Sequence, residues 1–305
     1  MSRLVLALDF GGTKLAAGLV DLESEQLIAR EVQPTPPGDA RAVLAAMVAL
    51  ARGLLARGAA PVAAVGVSFG GPVDVARGRV LRSHHVPGWE DFPLVETLAH
   101  AFGRPVALDN DGNAMALGEW RFGAARGAAA LLYVNIGTGI GGGLVLGGRV
   151  YRGRGLAGEI GHMVLWPEGP VCPCGKRGCL EALAAGPAIA RRASERAGRV
   201  FPEAAAVFAA AVSEPAVQMA LQECLDFLAR GLANAAVLLD PSLIVMGGGV
   251  AQAGPALFEP VQQALPRYIA PLPTPPPVVP SRLGADLGLW GAAALAESLL
   301  ETGAV

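Results

Sequence analysis

Cysteine is scarce in this 305-residue chain, which contains only four. Four cysteines are too few for the disulfide framework that holds small secreted proteins together. Charged residues make up only 16% of the chain, the formal net charge is −2, and lysine and arginine form no dense cluster. A nucleic-acid-binding surface needs such a cluster, so we expect no nucleic-acid partner.

The chain also lacks a convincing membrane segment. Residues 127–148 carry no charge, but they include eight glycines together with Asn135 and Thr138. A membrane-spanning helix needs about 20 predominantly apolar residues, and this glycine-rich composition does not suit one. The first ten residues have the pattern of a strand and not of a signal peptide. We therefore expect no membrane partner and a cytoplasmic location.

The chain is rich in apolar residues, which are arranged in alternating strand and helix patterns. Hydrophobic residues make up 52% of it, and its length allows two domains with substantial cores. Strand patterns at 3–9 and 15–21 precede a helical pattern at 39–58, and further helical patterns follow at 214–239 and 289–301. This alternation predicts an α/β fold whose sheets are covered by helices.

An approximate internal repeat divides the chain. The segment DFGGTKLAAGLVD, near the start, has the same strand, glycine turn and strand pattern as AALLYVNIGTGIGGGLVLGGRV, near the middle. Two such units predict two related domains. We place the first, a small α/β domain, at 1–115, completed by the C-terminal helix at 289–305. The second, a larger α/β domain, spans 116–288 and includes the cysteine-containing loop 159–181.

The two glycine turns are candidate phosphate-binding sites. Paired glycines allow a tight turn that brings backbone N–H groups close to an anion. In the first turn, Asp9 at the end of a strand could also hold a metal ion or its water shell. A purely structural hairpin turn is the alternative for this turn. The candidate residues in the two turns are Asp9, Gly11, Gly12, Thr13 and Lys14, and then Gly137, Thr138 and Gly139.

The second turn contains a formal GxGxxG pattern at Gly137, Gly139 and Gly142. A dinucleotide-binding site needs a helix directly after such a turn, because the helix N-terminus binds the pyrophosphate. The sequence LVLGGRV that follows is a strand pattern. We therefore interpret this turn as a phosphate loop between two strands and not as a nicotinamide site.

Asn110 and Asp111 follow a third strand pattern, within LDNDGNA. Ligands gather at strand ends in α/β proteins. There, Asn110 could bind a hydroxyl group and Asp111 could accept its proton. The alternative is an Asx-rich turn that caps the following helix.

Three of the four cysteines lie within eight positions. With His162 they form the pattern H-x9-C-x-C-x4-C, completed by Cys172, Cys174 and Cys179. Three thiolates and one imidazole are a usual ligand set for a structural, tetrahedral Zn²⁺ site. Chance clustering of reduced cysteines is the alternative. The fourth cysteine, Cys224, lies in an apolar helical pattern and is interpreted as a small buried residue.

These elements, in this order, resemble the ROK family of bacterial sugar kinases and related repressors, within the hexokinase–actin–heat-shock ATPase group. The resemblance covers nearly the whole chain, and LAGEIGHMVLWPEGPVCPCGKRGCLEALAAG is its most specific part. It implies a two-domain, actin-like α/β fold that closes over a cleft holding a hexose and ATP with Mg²⁺. It further implies ATP-dependent phosphorylation of a hexose 6-hydroxyl, with glucose as the first choice, and a homo-oligomer, either a dimer or a tetramer.

The resemblance also assigns site residues. Asp111 is expected to be the general base for the sugar hydroxyl. Gly247, Gly248 and Gly249 match the adenosine side of the nucleotide site, and the two glycine turns match the phosphate loops. The residues expected to contact the sugar are Gly71, Asn110, Asp111, Glu159, His162 and Glu181. His162 is expected to serve twice, with one ring nitrogen on Zn²⁺ and the other on the sugar.

The chain departs from the family pattern at two places. His85 lies where many members have an asparagine, in the segment HHVPGW that starts at His84, so the rim of the sugar pocket is expected to differ. An ordinary loop without a ligand is the alternative there. Gly112 replaces the usual alanine beside the proposed base, so local flexibility is expected to differ.

Alternative functions follow from the same resemblance. Mannose, N-acetylmannosamine, N-acetylglucosamine or fructose could replace glucose, and polyphosphate could replace ATP. A transcriptional repressor would carry an N-terminal DNA-binding module, and the first phosphate turn already begins at Asp9. A non-catalytic sugar-sensing regulator is not expected, because Asp111 and both glycine turns are intact.

Overall fold

A computed structural model describes residues 3–57, 61–83, 86–270 and 274–303. The chain forms two compact units. Unit 1 comprises Met1–Arg126, Arg152–Gly155 and Leu283–Val305, and unit 2 comprises Gly127–Tyr151 and Leu156–Arg282. Each unit is therefore discontinuous in sequence.

Unit 1 is built on a five-stranded mixed sheet. The strands of this sheet are β1 (Leu4–Phe10), β2 (Lys14–Asp21), β3 (Gln26–Pro34), β4 (Val65–Phe69) and β7 (Val106–Asn110). The short strands β5 (Val73–Asp74) and β6 (Arg79–Val80) form a separate two-stranded sheet. Its helices are α1 (Ala40–Arg57), α2 (Leu94–Phe102), α3 (Asp111–Arg121) and, at the C-terminus, the helix Leu287–Thr302, which follows a 3₁₀ turn at Gly284–Asp286. The sheet order is β3-β2-β1-β4-β7. The strands β3, β2 and β1 are antiparallel, whereas β1, β4 and β7 are parallel.

Unit 2 has a five-stranded sheet of its own. Its strands are β8 (Ala130–Ile136), β9 (Ile140–Leu146), β10 (Arg149–Val150), β11 (Leu243–Gly247) and β12 (Val278–Pro280). Its helices are α4 (Leu180–Ala184), α5 (Gly186–Ala197), α6 (Ala204–Ala210), α7 (Pro215–Leu239) and α8 (Pro255–Ile269), with 3₁₀ turns at Ile160–His162 and Val250–Ala253. The C-terminal helix Leu287–Thr302 of unit 1 is accordingly α9.

The two sheets have the same topology. The order in unit 2 is β10-β9-β8-β11-β12. As in unit 1, two antiparallel pairings are followed by two parallel pairings. In both sheets, a glycine turn joins the first two strands in sequence. This agreement matches the internal repeat predicted from the two β-turn-β segments.

Buried apolar residues explain why these segments become strands and core helices. Six of the seven residues of β1 are buried, as expected for a central strand covered on both faces. Helix α9 packs so closely on β4 that a Cβ atom at Gly66 would overlap the carbonyl oxygen of Ala292. In unit 2, α7 buries one apolar stripe that includes Leu225, Leu228 and Leu232. Among the described residues, no helix combines the length and apolarity needed to span a bilayer.

The sequence patterns did not indicate α5, α6 or α8. Helix α8 contains Pro260 and Pro266, which normally argue against a helix interior. Its apolar stripe, which includes Leu257, Val261 and Leu265, is fully buried in unit 2, and this burial outweighs the lost backbone hydrogen bonds. Tertiary packing therefore decided the conformation of this segment.

Candidate active site and metal centre

The first glycine turn lies at the carboxyl end of β1 in unit 1. Gly11 N donates to Lys14 O at 3.0 Å, and a Cβ atom at Gly11 would lie only 2.8 Å from that oxygen. The turn is held from outside by Thr35, whose Oγ1 donates to Gly11 O at 2.8 Å and whose N donates to Thr13 O at 3.0 Å. Gly12 and Thr13 are exposed, as a turn that binds an anion must be.

Asp9 precedes this turn with a buried carboxyl group. Ser68 Oγ donates to its Oδ1 at 2.8 Å. Burial raises the pKa of the Asp9 carboxyl, and the Ser68 hydrogen bond and the charge of Lys14 lower it in part. No hydrogen bond to Oδ2 is found within the described part of the chain, and hard cations prefer oxygen ligands of this kind. Asp9 therefore fits a Mg²⁺-associated role.

Three strand ends meet at one edge of the unit 1 sheet. Phe10 of β1 is paired with Phe69 of β4, and Phe69 is paired with Asn110 of β7. Gly70 N donates to Phe10 O at 2.9 Å, and a Cβ atom at Gly70 would lie 3.9 Å from Asp111 Oδ2. The first glycine turn, Gly71 and the Asn110–Asp111 pair are thus gathered at this edge, because the carboxyl ends of parallel strands lie together.

Asn110 and Asp111 begin helix α3. Asn110 is the N-cap, and its Oδ1 accepts from Asn113 N at 2.8 Å. Gly112 N donates to Asp111 Oδ1 at 2.8 Å. The capping interpretation of this stretch is therefore correct, and it is compatible with a catalytic role because the cap holds the two side chains in place.

The second glycine turn lies in unit 2, between β8 and β9. Gly137 N donates to Gly139 O at 2.9 Å, and Gly186 N donates to Gly137 O at 2.9 Å. Glu181, in the first turn of α4, accepts from Ile140 N through Oε2 at 3.0 Å. A Cβ atom at Gly139 would overlap the Glu181 carboxylate. Glu181 is therefore packed directly against this turn, which its position in the sequence did not indicate.

The third glycine run, Gly247–Gly249, starts at the last residue of β11 and lies beside the second turn. Gly248 has φ +89°, and a Cβ atom there would overlap Ile136 O, so only glycine fits. A cavity of about 870 Å³ lies next to this run, within unit 2. It is lined by glycine-turn residues and by residues from α6 and the 3₁₀ turn after β11, among them Gly137, Thr138, Gly249, Glu203, Phe208 and Gln252. No local motif in the sequence marks Glu203, Phe208 or Gln252 as candidate site residues.

The four predicted zinc ligands come together in unit 2. The ligand atoms of His162, Cys172, Cys174 and Cys179 all lie within 4.8 Å of one another. The Sγ atoms of Cys174 and Cys179 are 3.7 Å apart, and Cys172 Sγ is 3.7 Å from His162 Nδ1. A tetrahedral site with Zn–S bonds near 2.3 Å separates two sulfur atoms by about 3.8 Å. The donor set therefore fits Zn²⁺.

Burial affects the protonation of the three thiols differently. Burial raises the pKa of the Cys172 thiol to about 12 and also raises that of Cys179, whereas a backbone hydrogen bond from Lys176 lowers that of Cys174. Two buried thiols need a dication to exist as thiolates. Gly178 has φ +67° and lies so close to Trp166 O that no Cβ atom fits. Glycine at this position lets the loop fold back on itself.

Two predicted sugar contacts lie beside the metal ligands. His162 ends the 3₁₀ turn that Glu159 precedes, and its Nε2 is 4.0 Å from Glu159 Oε2. Its Nδ1 is on the cysteine side. Glu181 follows Cys179 by two residues, and its Oε1 is 3.7 Å from Cys172 Sγ. Unit 2 therefore brings Glu159, His162 and Glu181 next to the ligand cluster.

Each unit thus assembles its own part of the predicted site. Unit 1 gathers Asp9–Lys14, Gly71, Asn110 and Asp111, and unit 2 gathers the rest. Sequence patterns missed Ser68 and Thr35, which hold the first turn, because a lone serine or threonine carries no signal. His84 and His85, at which an altered pocket rim was predicted, lie outside the described residues.

The fold and the glycine turns define a class. Two α/β units of identical sheet order, each with a glycine turn between its first two strands, are those of an actin-like ATPase. The model of the ROK family matches residues 5–298. The chain belongs to the ROK family.

Relatives within the family include sugar kinases. The chain is 34% identical to a glucokinase of Streptomyces coelicolor, with 96% of this chain and 97% of that protein covered. It is 33% identical to an N-acetylmannosamine kinase of Salmonella arizonae, with 96% and 98% covered.

Solved structures of ROK sugar kinases have the same fold. A ROK hexokinase from Thermus thermophilus superposes with a TM-score of 0.88 at 40% identity, with 98% of this chain and 99% of that chain covered. A ROK glucokinase from Streptomyces griseus, in complex with glucose and AMPPNP, superposes with a TM-score of 0.83 at 34% identity, with 97% and 99% covered. The predicted family and fold class are therefore confirmed.

Proposed function

We propose that this protein is an ATP-dependent hexose kinase that phosphorylates the 6-hydroxyl of glucose. The observation that carries the proposal is the sheet edge of unit 1, where Asp111, Asn110 and the first glycine turn lie together. Phosphoryl transfer needs alignment of the two substrates and neutralisation of phosphate charge more than covalent help from the protein. A carboxylate can align the attacking hydroxyl group, and the N–H groups of a phosphate-binding turn can neutralise phosphate charge.

Asp111 is the proposed general base. Its carboxylate is oriented by the hydrogen bond from Gly112 N to Oδ1. It takes the proton of the attacking hydroxyl as the oxygen–phosphorus bond forms, a contribution of about 10²–10⁴ in rate. Asn110 Oδ1 is already used by the helix cap, so Asn110 would bind a sugar hydroxyl as a donor through Nδ2.

Each unit carries a glycine turn that is proposed to bind phosphate. Backbone N–H groups at Gly11–Thr13 and Gly137–Gly139 would bind phosphate oxygens, with Lys14 adding positive charge. Mg²⁺, when bound with ATP, neutralises the charge of the phosphates, and Asp9 would hold the ion or its water. The 870 Å³ cavity beside Gly249 is the proposed adenosine site, since Thr138 and Gly249 both line it.

The remaining sugar contacts are proposed for Gly71, Glu159, His162 and Glu181. The geometry of His162 supports its double role, because Nδ1 is directed to the cysteines and Nε2 to Glu159. Zn²⁺ would be held by His162 and the three loop cysteines. It would supply no chemistry to the reaction and would fix the loop that carries these side chains.

Other hexoses are the main alternative, since N-acetylmannosamine kinases are among the relatives. We also propose a homo-oligomer, a dimer or a tetramer, for which exposed apolar side chains on unit 2 such as Trp166 and Leu238 provide surface. A panel of glucose, mannose, fructose, N-acetylmannosamine and N-acetylglucosamine, each with ATP and with polyphosphate, identifies the substrates. Sedimentation analysis gives the oligomeric state.

Asp111→Asn tests the proposed mechanism. The variant keeps the shape of the side chain and the acceptor for Gly112 N but removes the base. We expect kcat to fall by about 10²–10⁴-fold, while calorimetry shows hexose binding within a few-fold of the wild type. Asp240→Asn is a matched control, because Asp240 is exposed at the end of α7 in a left-handed conformation that asparagine also adopts. A variant Asp111→Asn with more than a tenth of the wild-type rate would overturn the base assignment.

A further inference from the structure

A buried ion pair lies directly before the proposed base. Asp109, the residue that precedes Asn110, is only 1% exposed, yet it carries a carboxylate. Arg152 Nε and Nη2 both lie 2.7 Å from Asp109 Oδ2. Arg152 opens the four-residue segment Arg152–Gly155, which belongs to unit 1 although its sequence neighbours on both sides belong to unit 2.

The second oxygen of Asp109 reaches the start of α3. Its Oδ1 accepts from Asn110 N at 2.8 Å and from Asn113 Nδ2 at 2.9 Å. Asn113 N, in turn, donates to Asn110 Oδ1. A continuous hydrogen-bond network therefore runs from Arg152 through Asp109 to the N-cap residue Asn110. It reaches Asn110 both directly, at its backbone N, and through Asn113, at its side chain.

Asn113 depends on this network. Its side chain is 8% exposed, and its Oδ1 has no hydrogen-bond partner within the described parts of the chain. The bond from Nδ2 to Asp109 is therefore what orients the Asn113 amide. Without Asp109, a buried amide in the first turn of α3 would lose its described side-chain partner.

Stability alone does not explain the pair. Burial raises the pKa of the Asp109 carboxyl, and the charge of Arg152 opposes that rise. Buried ion pairs commonly contribute little net stability, because desolvation cancels most of the attraction. What such a pair does supply is a fixed geometry, since the guanidinium group offers several donors in one rigid plane.

We propose that Arg152 and Asp109 are positioning residues for the reaction, which hold Asn110 and Asp111 at the orientation that phosphoryl transfer requires. This inference rests on the proposed kinase function. Neither residue needs to touch a substrate, and both act through the N-cap of α3. A shift of about 1 Å in a reacting group can lower the rate by about 10²-fold, so the loss of this network has a measurable cost.

Arg152→Ala and Arg154→Ala provide a matched test. Both residues lie in the segment Arg152–Gly155, and Arg154 is exposed. In Arg152→Ala we expect kcat to fall by about 10–100-fold with KM for ATP unchanged within about twofold, whereas Arg154→Ala should behave as the wild type. Guanidinium at tens of millimolar should restore part of the activity of Arg152→Ala and not that of Asp111→Asn, because only the former lacks a guanidinium group.

Hydrogen exchange tests the positioning directly. Backbone amides of residues 109–117 should exchange faster in Arg152→Ala than in Arg154→Ala, with exchange in unit 2 unchanged. If Arg152→Ala does not fold, Arg152→Lys should fold and keep only part of kcat, because a lysine offers a point charge in place of the planar fork. Asp109→Asn combined with Arg152→Met should lose no more activity than the worse single variant, since the two residues act as one unit.

The outcomes separate this inference from the proposed function. A wild-type protein that phosphorylates no hexose overturns the proposed function and this inference together. An active wild type in which Arg152→Ala matches Arg154→Ala in kcat overturns the positioning role alone. A loss of activity that guanidinium does not restore, with unchanged exchange at 109–117, also overturns it.

Discussion

Asp9 shows at the residue scale how a functional group carries a folding cost. Its carboxyl group is buried beside Ser68, and a Cβ atom at Gly288 of α9 would overlap it. Burial raises the pKa of the Asp9 carboxyl, so the ionised form is disfavoured in the folded protein. The proposed Mg²⁺ role of Asp9 would need this charge, although the ionised carboxylate lowers the stability of the free protein.

The variant Asp9→Asn should separate the stability cost of the buried carboxylate from its proposed role in holding Mg²⁺. Below the unfolded-state pKa of about 3.9, the carboxyl group is protonated in both states and the variant should match the wild type. As the pH rises through the raised folded pKa, the wild type loses stability that Asp9→Asn keeps. At neutral pH the variant should melt a few degrees higher, while kcat/KM for MgATP falls by about tenfold or more, the value of a contact to a charged group.

Asp21→Asn is a control for which the expected change in melting temperature has the opposite sign. Hydrogen bonds from Glu23 N and the Ser24 side chain lower the pKa of the exposed Asp21 carboxyl. Its replacement should therefore lower the melting temperature at neutral pH and leave kinetics unchanged. Equal melting temperatures for Asp9→Asn and the wild type at pH 7 would contradict the assigned cost of burial.

At the scale of elements, the proposed Zn²⁺ bears most on the cysteine loop. The loop between Glu159 and Glu181 contains little regular structure, and two of the thiols proposed to hold the ion are buried in it. A loop with so little regular structure is expected to gain order from metal binding, because binding energy at such a site contributes to folding.

We expect purified protein to contain about one Zn²⁺ per chain, from the count of four ligands. Cys174→Ser should lose the ion and weaken hexose binding more than ATP binding, since the loop carries Glu159, His162 and Glu181. Cys224→Ala should keep the ion, because Cys224 lies apart in α7. Metal analysis measures the zinc content, and calorimetry measures hexose and ATP binding. Protein purified without chelators that contains no zinc would contradict the assignment.

Helix α9 is the element that makes unit 1 compact. It packs on β4 through Gly66, and a Cβ atom at Gly118 of α3 would lie 2.8 Å from Gly291 N of α9. Glycine allows these elements to approach more closely than any other residue would, at the cost of a more flexible unfolded chain.

A pair of glycine-to-alanine variants tests this packing. Gly66→Ala should destabilise the protein by about 1–3 kcal/mol or more, because the new methyl group overlaps the Ala292 carbonyl. Gly53→Ala lies in the exposed interior of α1 with nothing within 4 Å of the new Cβ atom, and it should stabilise by about 0.5–1 kcal/mol. Urea unfolding midpoints measure both, and shifts in the same direction would contradict the packing argument.

At the scale of the whole molecule, the same sheet order occurs twice. This duplication explains why two β-turn-β patterns predicted two related domains. The actin-like class was implied by the family resemblance and is confirmed by the relatives. The β-turn-β segments and the helices α1, α2, α7 and α9 were predicted from local patterns, whereas α5, α6 and α8 were not. The predicted domain boundaries, the ligand cleft and the cytoplasmic location stay predictions.

Residues close together in the chain were enough to predict the main strands, the glycine turns, the four residues of the candidate metal cluster and the family motifs. Which side chains support these features depends on the tertiary structure. Ser68 lies 59 positions from Asp9, and Arg152 lies 43 positions from Asp109. The conformation of α8 and the lining of the 870 Å³ cavity were likewise set by packing between distant segments. Hydrogen bonds and burial depend on distance in space, and a local pattern carries no information about partners so far away in sequence.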